Sequence, residues 1–387
     1  RSRACPRPGS NGGTIMIIKN GSVFTSDGFE KKDIAFDTSH RILAALPSAD
    51  PDVFDAEGCY VVPGFIDIHT HGAVGADFCD ADLSGLKRMA AYLKSCGITT
   101  FCPTSMTLPP EKLKEIFKTA SDLMDAPDPA ISRVAGINME GPFISAEKRG
   151  AQKIDHITNP DSSMFFSLFH GCQDRIKFVT LAPELPGSLS FIDAVKDVVS
   201  VSLGHSSADY DAAAAGFSHG ADHVTHLFNG MEPFLHRNPG IVGAAADACA
   251  ASENVFLELI CDGIHIHPSM IRSVFRLFGE DHMIFISDSM RACGMEDGIY
   301  ELGGQRVEKN GSRATLHDGT LAGSVTNLFS CFQNAVSFGI PLVSALKAVT
   351  VNPAKSLHME HEIGQLLPGM EADILILSKD LSLVAVF

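Results

Sequence analysis

The sequence predicts an α/β fold, a (β/α)8 TIM-type barrel with a small β-sandwich domain built from both chain ends. Three observations carry that expectation. Eight apolar runs, most of them rich in β-branched or aromatic residues, follow one another between residues 65 and 290. Segments able to form helices separate most of these runs. Outside this block the pattern changes to short alternating runs broken by Gly, Asn and Asp. Repeated strand–helix alternation is the mark of a parallel barrel, whereas short punctuated alternation suits antiparallel strands.

Taken in order, residues 1–13 (RSRACPRPGSNGG) lack an apolar run and read as a disordered leader or cloning scar, not a signal peptide. From Thr14 to Val62 the runs TIMIIKNGSVFT, KKDIAFD, HRILAAL and GCYVVPG read as small strands. The eight barrel runs are FIDIHTH (65–71), ITTFCPT (98–104), VAGINMEG (134–141), KFVTLAP (177–183), VVSVSLGHS (198–206), HVTHLFN (223–229), VFLELICDGIHI (255–266) and MIFISDSM (283–290). Helices are expected between them, for example over 82–97, 110–124 and 267–279. A polar, glycine-rich connection (291–323) and two helical stretches follow, the second stopping at Asn352-Pro353. The tail over 363–378 returns to turn-and-strand character. The expected domains are a β-sandwich of 14–62 with 360–387, and a barrel of 63–359. A doubly wound open sheet would need a phosphate-binding glycine turn after its first strand, and HTHG is not one.

Composition narrows the function classes. Of 387 residues, 45% are hydrophobic, enough for a large core. Lys and Arg number 30 against 46 Asp and Glu, a net charge of −16. So acidic a surface argues against nucleic acid or an anionic membrane as partner. An anionic small substrate requires a few basic residues gathered at its site. The longest apolar stretches, such as 255–261, fall short of the ~20 residues of a membrane span. Ten cysteines without a CxxC pair, several within apolar runs (Cys102, Cys261, Cys331), point to reduced thiols and a cytoplasmic location.

Chemistry-bearing residues collect at the ends of the runs: His69-Thr70-His71 at the first, Glu140 at the third, His205 at the fifth, His226 in the sixth and Asp288 at the eighth. In a barrel these ends share one rim, where active sites form. Residues i and i+2 on a strand face the same way, so His69 and His71 can reach one metal. Taken singly, each has a bland reading. A strand-end histidine is more often packed than ligating, and Glu140 or Asp288 can cap the next segment. Their joint placement favours a catalytic zinc or iron site with an open position for water. His267 and His282 read as structural.

The series PGFIDIHTHG (63–72), MEGPF, GHS, THLFN, DGIHI, SDSM, LAGS, VNPAKSL and PGMEADILIL resembles the amidohydrolase superfamily. Within it, MEGPF with THLFNGM and LAGS is similar to the N-acetylglucosamine-6-phosphate deacetylase family, in order from about residue 15 to the end. The resemblance implies metal ligation by Glu140, His205 and His226, and a second metal site at His69 and His71 with the glutamate bridging. One or two divalent ions are then expected, Zn or Fe first, with Co and Mn as alternatives. It implies Asp288 as catalytic base and acid, and hydrolysis of an acetamide on a phosphorylated amino sugar by water activated on the metal.

For substrate binding the resemblance implies Ala151, Gln152, Asn229, Gly230, Arg237, His265, Leu321, Ala322 and Gly323. Asn229, Gly230 and Arg237 fall on phosphate-contact positions, and His265, read as ending the seventh strand, on a sugar or phosphate contact. Some relatives lend such an arginine from a neighbouring subunit, so a homodimer is expected; whether Arg237 serves its own subunit or its partner is open. Two departures stand out. Gln152 replaces the histidine of some relatives, and Ser287 and Ser289 flank Asp288 where threonine and alanine are common. A cyclic-amide or imide hydrolase of the dihydroorotase and hydantoinase kind is the nearest rival. It would bridge its metals with a carboxylated lysine at strand four, and KFVTLAPE has none at its C-terminal end. A non-catalytic barrel scaffold is the other rival, and it would be expected to have lost ligands.

Overall fold

The computed structural model describes residues 15–47 and 51–387; the expected leader, 1–13, lies outside the described residues. The barrel strands are β1 (Phe65–Thr70), β2 (Ile98–Ser105), β3 (Ile137–Glu140), β4 (Ile176–Leu181), β5 (Ser200–Leu203), β6 (His223–Val224), β7 (Phe256–Ile260) and β8 (Met283–Ile286). Each pairs in parallel with the next. Main-chain hydrogen bonds then carry β8 back to β1: Asp288 N–H donates to the His69 carbonyl at 2.9 Å, and His71 N–H to that of Ser289 at 2.8 Å. β6 is shorter than its apolar run because His226 and Phe228 take φ of 29° and 76°, which ends the ladder.

Helices α1 (Leu83–Ser95), α2 (Pro110–Asp125), α3 (Ser162–Gly171), α4 (Ser188–Val195), α5 (Tyr210–His219), α6 (Gly240–Ala251), α7 (Pro268–Phe278) and α8 (Leu328–Ser337) follow the strands. Their ends are written in the sequence. The Asp82 carboxylate caps α1 by accepting from Ser84 and Gly85 N–H, and Asp161 caps α3 in the same way. Helix α1 buries Leu86, Met89, Ala90 and Leu93, the spacing of one helical face. His267 caps α7 and His282 Nδ1 meets the Val255 carbonyl at 2.8 Å, so both are structural.

Chain-end strands form the small β-domain. Met16–Lys19 lies between Ile34–Phe36 and Asp52–Asp55. In a second sheet Ile374–Leu377 pairs antiparallel with Tyr60–Pro63, which leads directly into β1. Among the described residues no helix is long and apolar enough to cross a membrane, and the cysteines are free.

Two expectations need correction. The segment 291–323 is more than a connection: Gly298–Leu302, Gln305–Asn310 and Arg313–Leu316 form an antiparallel sheet. Its first turn is Gly303-Gly304, both at positive φ (56° and 77°), the two-glycine signal of a tight hairpin. Pro353 also does not stop a helix. Helix α9 (Leu342–Val349) ends before it, and Pro353 lies in the first turn of α10 (Val351–Ser356), where its missing N–H costs no bond.

Candidate metal centre and its cleft

Strand ends deliver the candidate ligands. His69 is in β1 and His71 follows it; Glu140 closes β3. His205, His226 and Asp288 each stand two residues beyond the end of β5, β6 and β8. At these three the backbone turns left-handed, with φ of 47°, 29° and 45°. Such a conformation costs an L-residue about 1–3 kcal/mol and persists where surrounding structure enforces it.

The Glu140 carboxylate is the hub. Its Oε1 lies 2.9 Å from His226 Nε2, 3.1 Å from His205 Nε2 and 3.6 Å from His69 Nε2; its Oε2 lies 3.5 Å from His71 Nε2. Asp288 Oδ1 is 3.2 Å from His71 Nε2 and 3.7 Å from His69 Nε2. Two triads, His69/His71/Glu140 and Glu140/His205/His226, each gather their ligand atoms within 4.8 Å.

All four imidazoles are anchored at the far nitrogen. Nδ1 of His71, His205 and His226 meets the carbonyls of Thr104, Lys148 and Asn229 at 3.0, 2.8 and 3.1 Å. Nδ1 of His69 meets Glu258 Oε2 at 2.9 Å. Carbonyl and carboxylate acceptors fix the proton on Nδ1 and turn the Nε2 lone pair inward, the arrangement that orients metal-bound histidines. The Nε2 atoms of His205 and His226 then face each other at 3.1 Å, and the buried Nε2 of His69 has no hydrogen-bond partner. Lone pairs so placed call for a proton or a cation, and the mixed imidazole–carboxylate set suits a divalent metal.

The charges agree. Burial works against a charge on His69, yet Glu258, Glu140 and Asp288 hold its imidazolium up to about 10. Burial also opposes ionisation of Asp288, but the His71 hydrogen bond and the neighbouring imidazoles pull its carboxyl down to about 2. Glu140 is held well below the usual range, with burial overcome chiefly by His205.

Above the hub opens a cleft of about 280 Å³, lined by Gly150, Ala151, Gln152, Asn229, Gly230, His265, Leu321, Ala322 and Gly323 together with the ligands. Gly230 has φ of 60°, and a Cβ there would sit 2.9 Å from His205 Nδ1, so only glycine fits beside the ligand. A similar cleft of about 290 Å³ lies at the N-terminal end of β2. There Arg133 pairs with Glu371 and Asp373, and among the described residues no group of three metal-ligating side chains gathers there.

The structure places His265, Gln152 and Arg237 in ways the sequence alone does not show. His265 does not end a strand: β7 stops at Ile260, and Asp262 Oδ1 accepts from the Ile264 and His265 N–H groups to form a turn. Both ring nitrogens are engaged, Nδ1 with Asp262 at 2.6 Å and Nε2 with the Ala322 carbonyl at 3.0 Å. His265 thus holds the Leu321–Gly323 segment against the cleft. Gln152 is turned to Glu140 as well as to the cleft, with Nε2 2.5 Å from Oε2. Arg237 is not brought in. It is exposed, donates to His236 Nε2 at 2.6 Å, and borders Asp209, Tyr210 and Asp211 instead. The sequence reading missed Glu258, whose signal was a lone carboxylate amid the apolar strand residues FLELI. Inside a barrel such a group needs a partner.

A model described as the amidohydrolase family matches residues 60–387. N-acetylglucosamine-6-phosphate deacetylase of Bacillus subtilis (strain 168) is 36% identical over 372 residues, covering 95% of this chain and 91% of its own. That of Homo sapiens is 37% identical over 380 residues, covering 96% and 92%. Among solved structures, the Mycobacterium smegmatis enzyme, a mutant in complex with N-acetyl-D-glucosamine-6-phosphate, matches with a TM-score of 0.88 at 29% identity, covering 97% of this chain and 98% of that one. The Pasteurella multocida enzyme matches at 0.89 and 28%, covering 96% and 98%. The chain belongs to the amidohydrolase family and, within it, to the N-acetylglucosamine-6-phosphate deacetylases.

Proposed function

We propose that this chain hydrolyses the acetamide of N-acetyl-D-glucosamine 6-phosphate to D-glucosamine 6-phosphate and acetate. The observation that carries the reading is one carboxylate, Glu140, shared by two imidazole pairs beside Asp288 at the floor of a cleft. His69, His71, Glu140, His205 and His226 hold one or two divalent cations, Zn or Fe first, Co or Mn otherwise. Such a cation supplies Lewis acidity, lowering the pKa of water towards ~7 and polarising the amide carbonyl.

The chain's own residues do the rest. Asp288 is ionised and next to His71, ready to take a proton from the attacking water. It returns that proton to the sugar nitrogen as the carbon–nitrogen bond breaks, so the water ends in acetate and the amine leaves neutral. Ala151, Gln152 and the Leu321–Gly323 segment line the sugar, and His265 braces that segment. Asn229 and Gly230 line the phosphate end, where main-chain N–H groups approach an anion closely. Arg237 completes that end from a neighbouring copy in a homodimer; its exposure and its place outside its own cleft favour this over service within its own subunit. A cyclic-amide hydrolase is disfavoured, since Glu140 supplies the shared carboxylate a lysine would provide. The compartment that fits is the cytoplasm.

Metal-loaded protein should release acetate from N-acetylglucosamine 6-phosphate at least about a hundredfold faster, in kcat/KM, than from the unphosphorylated sugar. Equal rates would remove the phosphate from the reading, and no acetate from either would remove the reaction.

A further inference from the structure

Gln152 is buried, and neither end of its amide is idle. Its Oε1 accepts from the Thr107 N–H at 2.6 Å, a group that can only donate. That contact decides which end of the amide is which. Nε2 must face the other way, and there it lies 2.5 Å from Glu140 Oε2. The carboxylate is therefore held on both sides: Oε1 by His205 and His226, Oε2 by Gln152 with His71 Nε2 at 3.5 Å.

We propose that Gln152 is a positioning residue that keeps Glu140 a two-sided ligand and so sets how tightly the cation at His69 and His71 is held. The inference rests on the metal-site reading above. A carboxylate oxygen has two lone pairs, so an amide N–H and a cation can share Oε2. Without that donor the carboxylate is free to turn about its last torsion, which for this kind of bond is broad. The His205/His226 pair keeps its hold on Oε1, since its 3.1 and 2.9 Å are the shortest distances Glu140 makes to an imidazole. The His69/His71 pair meets Oε2 only through His71, at 3.5 Å, and Oε1 only through His69, at 3.6 Å, so it loses its nearer oxygen. Removal of Gln152 should thus weaken the two cations unequally.

The test uses the whole chain, stripped by a chelator and titrated with Co²⁺, followed by visible absorption and calorimetry. Wild type should take up two equivalents. Gln152→Met, similar in size but without a donor, should weaken the looser equivalent about ten- to a hundredfold, and the tighter one less than threefold. Gln152→His, which keeps an acceptor on one ring nitrogen and a donor on the other, should restore most of the loss. If the methionine variant lacks the wild-type circular dichroism spectrum, Gln152→Asn, which draws the donor back by one methylene, should give the same unequal loss. Unchanged binding in a folded variant, equal weakening of both equivalents, or a single equivalent in wild type overturns the role of Gln152. Uptake of no metal at all by wild type overturns the metal site itself.

Discussion

Nδ1 of His69 lies 2.9 Å from Glu258 Oε2, and both side chains are sealed from solvent. The same oxygen accepts the His226 main-chain N–H at 3.1 Å, so one carboxylate braces both triads from beneath. Glu258→Gln keeps an acceptor and the shape but removes the charge. It should lower affinity for a divalent cation about ten- to a hundredfold, measured by competition with a chelator. Wild-type affinity in that variant would reduce Glu258 to a packing residue.

Asp288 is the one carboxylate assigned to proton transfer, and its Oδ1 touches only the His69/His71 side of the centre. Asp288→Asn should cut kcat about 10²- to 10⁴-fold. Metal content by elemental analysis should stay close to that of wild type. A variant that turns over normally takes Asp288 out of the mechanism.

Arg237 lies outside its own cleft, which makes the proposed dimer testable by mixing. Alone, Arg237→Ala should raise KM for the phosphorylated substrate with a smaller effect on kcat. Unfolded, mixed with Asp288→Asn and refolded together, it should recover up to about a quarter of wild-type activity, because half the dimers then hold one complete site. Activity no higher than the sum of the two separate variants would place Arg237 with its own subunit or out of the site.

His223 is fully buried between the rings of Phe178 and Phe256, with neither nitrogen partnered. Burial presses its pKa down to about 4, against a weaker pull from Glu258. An unfolded histidine titrates near ~6.5, so between these values the unfolded chain holds the extra proton. Stability is complete above that upper value and is lost as pH falls towards the lower one, by about 2 kcal/mol at pH ~5. His223→Leu should therefore raise the melting temperature relative to wild type by about 2–3 °C more near pH 5 than near pH 8. An equal difference at both pH values would show that His223 does not titrate on unfolding.

The sequence made the barrel legible because most strands are compact apolar runs and several helices carry a side-chain cap, as Asp82, Asp161 and Asp209 provide. His69, His71, Glu140, His205 and His226 were legible because they stand where such runs end. What escaped reading depends on contacts distant in sequence. Glu258 meets His69 across 189 residues, and no local pattern joins them. Gln152 looked like a wall of the cleft, and only the Thr107 N–H reveals which way its amide points. The direction of His265 was set by Asp262, three residues before it, a turn hidden inside an apolar run. The Gly298–Leu316 sheet hid behind polar composition, although Gly303-Gly304 marked its hairpin.

The left-handed strand ends at His205, His226 and Asp288 carry a warning for anyone seeking a hardier form of this protein. Glycine adopts that backbone without penalty, so a search guided by backbone strain alone will favour glycine at these positions, although at His205 or His226 it strips Glu140 of an imidazole partner. On the proposed function, any survivors would be barrels unable to bind a cation or move a proton, and screens should read turnover alongside melting.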